Sequence, residues 1–161
     1  GESAGGGLCA SLCILARDRG ELGVAFQMPL YPMLDDRDTE TSAHNFSPGW
    51  NTVRNHTAWK LYLRSAYGTD DVSKYAAPAR ETDYRGLPPA YTFCCTAEPF
   101  LAETKTYIDN LRKAGIPAEL DIYDGLIHAF DIINPGWKAS RNAARRFEEH
   151  FVYAQEHYFT K

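Results

Sequence analysis

Gly1-Glu2-Ser3-Ala4-Gly5-Gly6-Gly7 runs without a break into the apolar stretch 8–17, and that junction is the strongest constraint in the chain. A serine between glycines at the head of a helix suits a tight strand-to-helix turn. The glycines avoid clashes there, and the hydroxyl is pushed clear of the sheet. The free N–H groups of the first helical turn point at the same spot, so an oxyanion formed beside Ser3 would be stabilised, with Ala4 as the nearest backbone donor. The three fixed positions of G-x-S-x-G also arise by accident, in which case this is an ordinary glycine-rich loop. Its weight depends on residues further along the chain.

After the turn the spacing predicts a helix through Arg17, ended by Gly20. Residues 24–30 form a short apolar run suited to a buried strand and stopped by Pro29 and Pro32. Residues 31–51 read as loop. A helix is expected over 52–67, with Val53, Trp59, Leu63 and Ala66 on its buried side. A strand at 90–95, a helix at 100–114 closed by Gly115 and Pro117, and a strand at 118–123 come next. A last helix over 138–158 carries Ala143, Phe147, Phe151, Ala154 and Tyr158 on one stripe. Strands separated by helices imply parallel pairing in an α/β sheet. Three strands are few for such a sheet, whose faces and edges both need cover. The expectation is therefore the C-terminal part of one larger domain, spanning 1–161. Val24, Phe26 and Met28 would lie along an open edge that takes an N-terminal companion or a second copy.

Composition removes several classes. With 44% hydrophobic and 13% aromatic residues the chain can build a core. Seventeen basic against 21 acidic residues, net −4, give no basic field for nucleic acid. No apolar run approaches the roughly 18 to 20 residues of a membrane span, and no signal peptide is visible. Cys9, Cys13 and the adjacent pair Cys94-Cys95 do not form a disulfide framework. No His or Cys completes a metal site around Cys9 and Cys13. Buried, reduced thiols and a cytoplasmic setting follow. The triplets Asn45-Phe46-Ser47 and Asn55-His56-Thr57 point towards glycosylation but are short enough to be accidental.

Order is what strengthens Ser3. A triad on an α/β sheet runs serine, acid, histidine, each after a different strand. Glu98 comes after the strand at 90–95, and His128 after the strand at 118–123. Both positions lie at carboxyl ends of parallel strands, where such sheets bind their ligands. Asp121 and Asp124 are nearby carboxylates that compete for the role of the acid. Leu126, Ile127 and Phe130 flank the histidine as candidate substrate contacts, while Trp50 and Trp59 suit the core better.

These stretches resemble the hormone-sensitive-lipase-like branch of the α/β-hydrolases, which includes bacterial acetyl esterases and arylacetamide deacetylase. The matching segments are Gly1-Glu2-Ser3-Ala4-Gly5-Gly6, Tyr31-Pro32-Met33-Leu34-Asp35-Asp36-Arg37, Gly86-Leu87-Pro88-Pro89-Ala90, Glu98-Pro99-Phe100 with Glu103, and Ile127-His128-Ala129-Phe130. The resemblance implies hydrolysis of small-molecule esters with short or medium acyl chains, without cofactor, through Ser3, His128 and an acid. The family usually carries Asp where this chain has Glu98. It also carries a His-Gly-Gly-rich loop, ahead of the nucleophile, that donates to the oxyanion. Loss of one such donor typically costs about 10² to 10³ in rate, so the isolated chain is expected to be nearly inert. An amidase or peptidase using the same triad, and a non-catalytic receptor on the same fold, are the alternatives.

Overall fold

The computed structural model describes residues 1–159. Its helices are α1 (Ala4–Arg19), α2 (Thr52–Leu63), α3 (Leu101–Lys113), the short α4 (Phe130–Ile133) and α5 (Lys138–His157). Its strands are β1 (Ala90–Cys95) and β2 (Ala118–Tyr123). They pair in parallel, from Ala90 opposite Ala118 to Cys95 opposite Tyr123. Every residue of β1 is buried, as suits a strand with neighbours on both sides, whereas β2 is only partly covered.

The expected strand at 24–30 is corrected: it is an extended segment tied to its neighbours by isolated bridges. Gln27 bridges Ala90, and Leu30 bridges Glu2, both in the parallel sense. Gln27 N–H donates to Pro89 O, Tyr91 N–H to Gln27 O and Tyr31 N–H to Phe93 O. Between those bonds sits Pro29, which has no N–H to contribute. The Thr92 hydroxyl instead donates to Pro29 O at 2.5 Å. The parallel arrangement therefore continues across residues 1–3, 27–31, β1 and β2, although only two of these form a continuous ladder. The expected open edge is covered only at its C-terminal end. Leu30 N–H donates to Gly1 O and Ser3 N–H to Leu30 O, so residues 1–3 lie beside Met28 to Leu30. Phe26 and Met28 are half-buried against the core, and Val24 is exposed.

The glycine run also behaves differently from expectation. Gly5, Gly6 and Gly7 lie inside α1, which begins at Ala4. Segment 30–33 crosses the first turn of that helix. A Cβ on Gly6 would meet Leu30 O at 2.9 Å, and one on Gly7 would meet Met33 O at 2.1 Å. The missing side chains let the two backbones touch.

Apolar packing then divides around the sheet. Ala10 and Ile14 of α1 meet Tyr107, Ile108 and Leu111 of α3 on one side. Phe93 and Phe130 pack with Tyr31 and Leu101 beside the strand ends. Trp59 of α2 joins Met33 and Phe100 in a third cluster. Val53 is 74% exposed, which corrects its assignment to the buried side of α2. On α5 the stripe is only half covered: Ala143 and Ala154 are buried, while Phe147 and Phe151 remain exposed. The loop after Tyr31 is tethered. Buried Glu103 accepts from Leu34 N–H at 2.6 Å, and Arg80 grips Asp36 with two bonds of 2.8 Å.

Candidate active site

Ser3 sits at the cap of α1 with φ +55° and ψ −123°, a conformation that an L-residue adopts only under constraint. The constraint is visible. Ser3 O accepts from Gly7 N–H at 3.1 Å and Met33 N–H at 3.0 Å, and its own N–H is held by Leu30 O. A Cβ on Gly1 would fall 2.3 Å from Gly5 O, so the turn closes only with glycine there. Gly5, by contrast, has open space where its Cβ would be. The result is a half-buried hydroxyl at the head of a 16-residue helix.

His128 lies in the turn between β2 and α4. Ala129, in the left-handed region at φ +59°, swings the chain into α4, and Phe130 N–H closes the turn on Ile127 O. The imidazole is 7% exposed. Tyr31 and Phe100 present ring edges to it at centroid distances of 5.0 and 5.2 Å, and Trp50 lies tilted at 6.2 Å. Three aromatic walls leave the ring little room to rotate and little water.

Glu98 stands on the turn after β1 and is completely buried. Its Oε2 is 2.5 Å from His128 Nδ1, and His128 Nε2 is 2.8 Å from Ser3 Oγ. If Nδ1–H donates to Glu98, Nε2 is left as the acceptor for the Ser3 hydroxyl. The competing carboxylates are engaged elsewhere: Asp124 accepts from Thr96 Oγ1, and Asp121 is held by Arg146 and Tyr91. Serine, imidazole and carboxyl thus form one hydrogen-bonded line, drawn from the ends of β1 and β2 and from the bridged segment 1–3.

The partners of Glu98 on its other oxygen were not foreseeable from spacing. Oε1 accepts from Cys95 N–H at 2.9 Å, and both neighbouring thiols reach it, Cys94 Sγ at 3.0 Å and Cys95 Sγ at 3.1 Å. Burial, and then the adjacent Glu98, pushes both thiols well above their usual range, so both keep their protons. All four cysteines are free. Tyr31, strained at φ +31°, packs on His128 and donates its hydroxyl towards Glu2 and Asp131. Burial raises the proton affinity of Asp131 there.

Of the expected substrate contacts, Phe130 is corrected. It is fully buried against Phe93 and Tyr123, so it offers a ligand no surface. Leu126 and Ile127 are half-buried beside the histidine. An apolar cavity of about 220 Å³ opens beside Ala4, lined also by Gly7, Leu8, Met33, Trp59 and Tyr62. Its residues come from α1, α2, the loop between them and Ala76 beyond α2, which no linear pattern connects. Among the described residues no group of three or more His, Cys, Asp or Glu is placed to hold a metal ion. No helix among them is long and apolar enough to cross a membrane.

Known proteins share this fold. The profile of a family described as alpha/beta hydrolase fold matches residues 1–132. The carboxylic ester hydrolase LipN of Mycobacterium tuberculosis is 31% identical over 136 residues, covering 81% of this chain and 36% of LipN. Esterase LipW from Mycobacterium marinum superposes with a TM-score of 0.89 at 30% identity, over 96% of this chain and 48% of that one. A bacterial heroin esterase also reaches 0.89, at 36% identity, over 99% of this chain and 51% of its own. The chain therefore spans about a third to a half of the length of these relatives.

Proposed function

This chain belongs to the α/β-hydrolase fold family, and on that premise we propose that it carries the nucleophile, acid and base of a serine carboxylic ester hydrolase. The observation that carries the reading is the continuous line Ser3 Oγ, His128 Nε2, His128 Nδ1, Glu98 Oε2, with contacts of 2.8 and 2.5 Å. Relatives named as esterases make ester hydrolysis the preferred reaction within the family.

In the proposed mechanism Ser3 Oγ attacks the ester carbonyl carbon as its proton passes to His128 Nε2. The negative charge gathers on the carbonyl oxygen, where the Ala4 N–H at the head of α1 donates to it. Collapse of the tetrahedral intermediate breaks the bond to the alcohol oxygen, which leaves with the proton held by the imidazolium. Water then attacks the acyl-serine, with the same histidine taking its proton and returning it to Ser3 Oγ. Glu98 orients the imidazole and balances its transient positive charge. The apolar cavity of about 220 Å³ beside Ala4, the residue after the nucleophile, suits a short acyl chain.

The test is a panel of p-nitrophenyl esters of increasing acyl length, with the matching anilides, assayed on the full-length protein. Short esters should be turned over and anilides should not. Ser3→Ala, His128→Ala and the double variant should each remove nearly all activity, because a triad acts as a unit. A Ser3→Ala protein that kept a tenth of the parental kcat would overturn the reading.

A further inference from the structure

We propose that Cys94 and Cys95 are positioning residues for the acid of this site: their thiols clamp Oε1 of Glu98, leaving Oε2 alone to meet His128. The inference rests on the hydrolase reading above and concerns what makes a glutamate serve in it.

A glutamate carboxyl hangs on one more rotatable bond than an aspartate carboxyl, so it needs more points of attachment to hold a single orientation. The chain leaves β1 at Cys95 and turns, with Thr96 N–H bonded to Tyr123 O and Ala97 N–H to Leu126 O. That turn brings Glu98 back over the strand end. Three donors then converge on one oxygen: the Cys95 N–H and the two thiols, between 2.9 and 3.1 Å. Among the described residues no lysine or arginine is a hydrogen-bond partner of Glu98. Both cysteines are fully buried, as is Glu98. A carboxyl oxygen in so dry a place is costly to leave without donors. With Oε1 saturated, the second oxygen has His128 Nδ1–H as its partner, and the imidazole is held in the tautomer that can accept from Ser3.

Buried free cysteines more often act as small apolar fillers, and the two roles respond differently to substitution. Serine keeps a donor but loses volume and adds polarity, whereas alanine loses the donor and stays apolar. Packing alone makes serine at least as harmful as alanine. A clamp makes serine the better replacement.

The experiment measures kcat and KM for p-nitrophenyl butyrate in the full-length protein with C94A, C95A, the double alanine variant and the double serine variant. Ser3→Ala sets the background. Each alanine should lower kcat by about tenfold and the pair by about 100-fold, with KM within about twofold. The serine pair should return kcat to within about threefold of the parent. The low-field NMR signal of the proton between Nδ1 and Glu98 should weaken or shift in the alanine variants and be restored by serine. If the double alanine variant does not fold, the single variants carry the same comparison. Alanine variants with parental kcat, or serine variants no better than alanine, overturn the clamp while Ser3-dependent turnover leaves the hydrolase reading standing. Turnover that survives Ser3→Ala overturns both.

Discussion

Replacing Glu98 with glutamine removes a single charge while keeping the shape, and the structure dictates how the amide must sit. All three partners at Oε1 are donors, namely the Cys95 N–H and the two thiols. The amide oxygen therefore takes that position, and the NH₂ group is forced to face His128 Nδ1 at the 2.5 Å contact. Two donors cannot share that contact, so the imidazole must move its proton to Nε2. Nε2–H then points at Ser3 and cannot take its proton. In serine proteases the equivalent swap lowers kcat by about 10⁴. The same loss is expected here, about 5.5 kcal/mol in the barrier at 1.36 kcal/mol per decade. KM should change little, because the buried Glu98 touches no substrate. Glu98→Asp draws the carboxyl back by about one bond, roughly 1.5 Å. That stretches the hydrogen bond beyond useful range but leaves the polarity right, so the aspartate variant should be the milder one. Steady-state hydrolysis of p-nitrophenyl butyrate separates the cases. A glutamine variant with more than about a tenth of the parental kcat, or an Asp124→Asn variant that is the more damaging, would refute this reasoning.

Two further expectations concern stability. Gly7→Ala places a methyl 2.1 Å from the Met33 carbonyl oxygen, a backbone atom that cannot swing away. Urea unfolding should show a loss of about 1 to 3 kcal/mol, and an unchanged midpoint would show that the crossing is looser than drawn. Burial holds the Glu103 carboxyl well above the usual carboxylate range, against the pull of the Leu34 and Asp35 N–H groups. A raised folded-state value means that its contribution is complete below the ordinary carboxylate range and declines as pH climbs through the folded value. Glu103→Gln cannot ionise, so it should gain on the parent as unfolding is measured from about pH 5 to about pH 8. A pH-independent difference would show that Glu103 ionises normally.

Both expectations depend on contacts between distant parts of the chain, and the expectations that the structure corrected fail for the same reason. Residues 24–30 are apolar enough for a strand, but Pro29 lacks the donor that a continuous ladder needs. The serine turn was recognisable, yet the fit of its glycines was not. Gly5 faces open space, while Gly6 and Gly7 are the positions pressed against segment 30–33. Val53 and Phe130 were misplaced for opposite reasons, one exposed on α2 and the other sealed behind His128. Helical periodicity identifies an apolar face but not what lies opposite it.

What the residue order determines by itself is local and sequential. G-x-S-x-G ahead of an apolar run specifies a serine at the head of a helix. The runs at 90–95 and 118–123 coincide with β1 and β2, because six apolar or alternating residues between proline-rich turns have few other solutions. A carboxylate and a histidine just beyond those strands come from the same count. Only the tertiary structure brings Glu98 within hydrogen-bond reach of His128 while Asp121 and Asp124 bond elsewhere, because that depends on which carboxyl the turn after β1 carries back over the strand end. It also assembles the two thiols on Glu98, the rings of Tyr31, Trp50 and Phe100 around His128, and the cavity between α1 and α2. Tyr31 and Trp50 are separated from His128 by much of the chain. Propensity and periodicity act over a turn or a strand, whereas contacts of that range exist only once the core has closed.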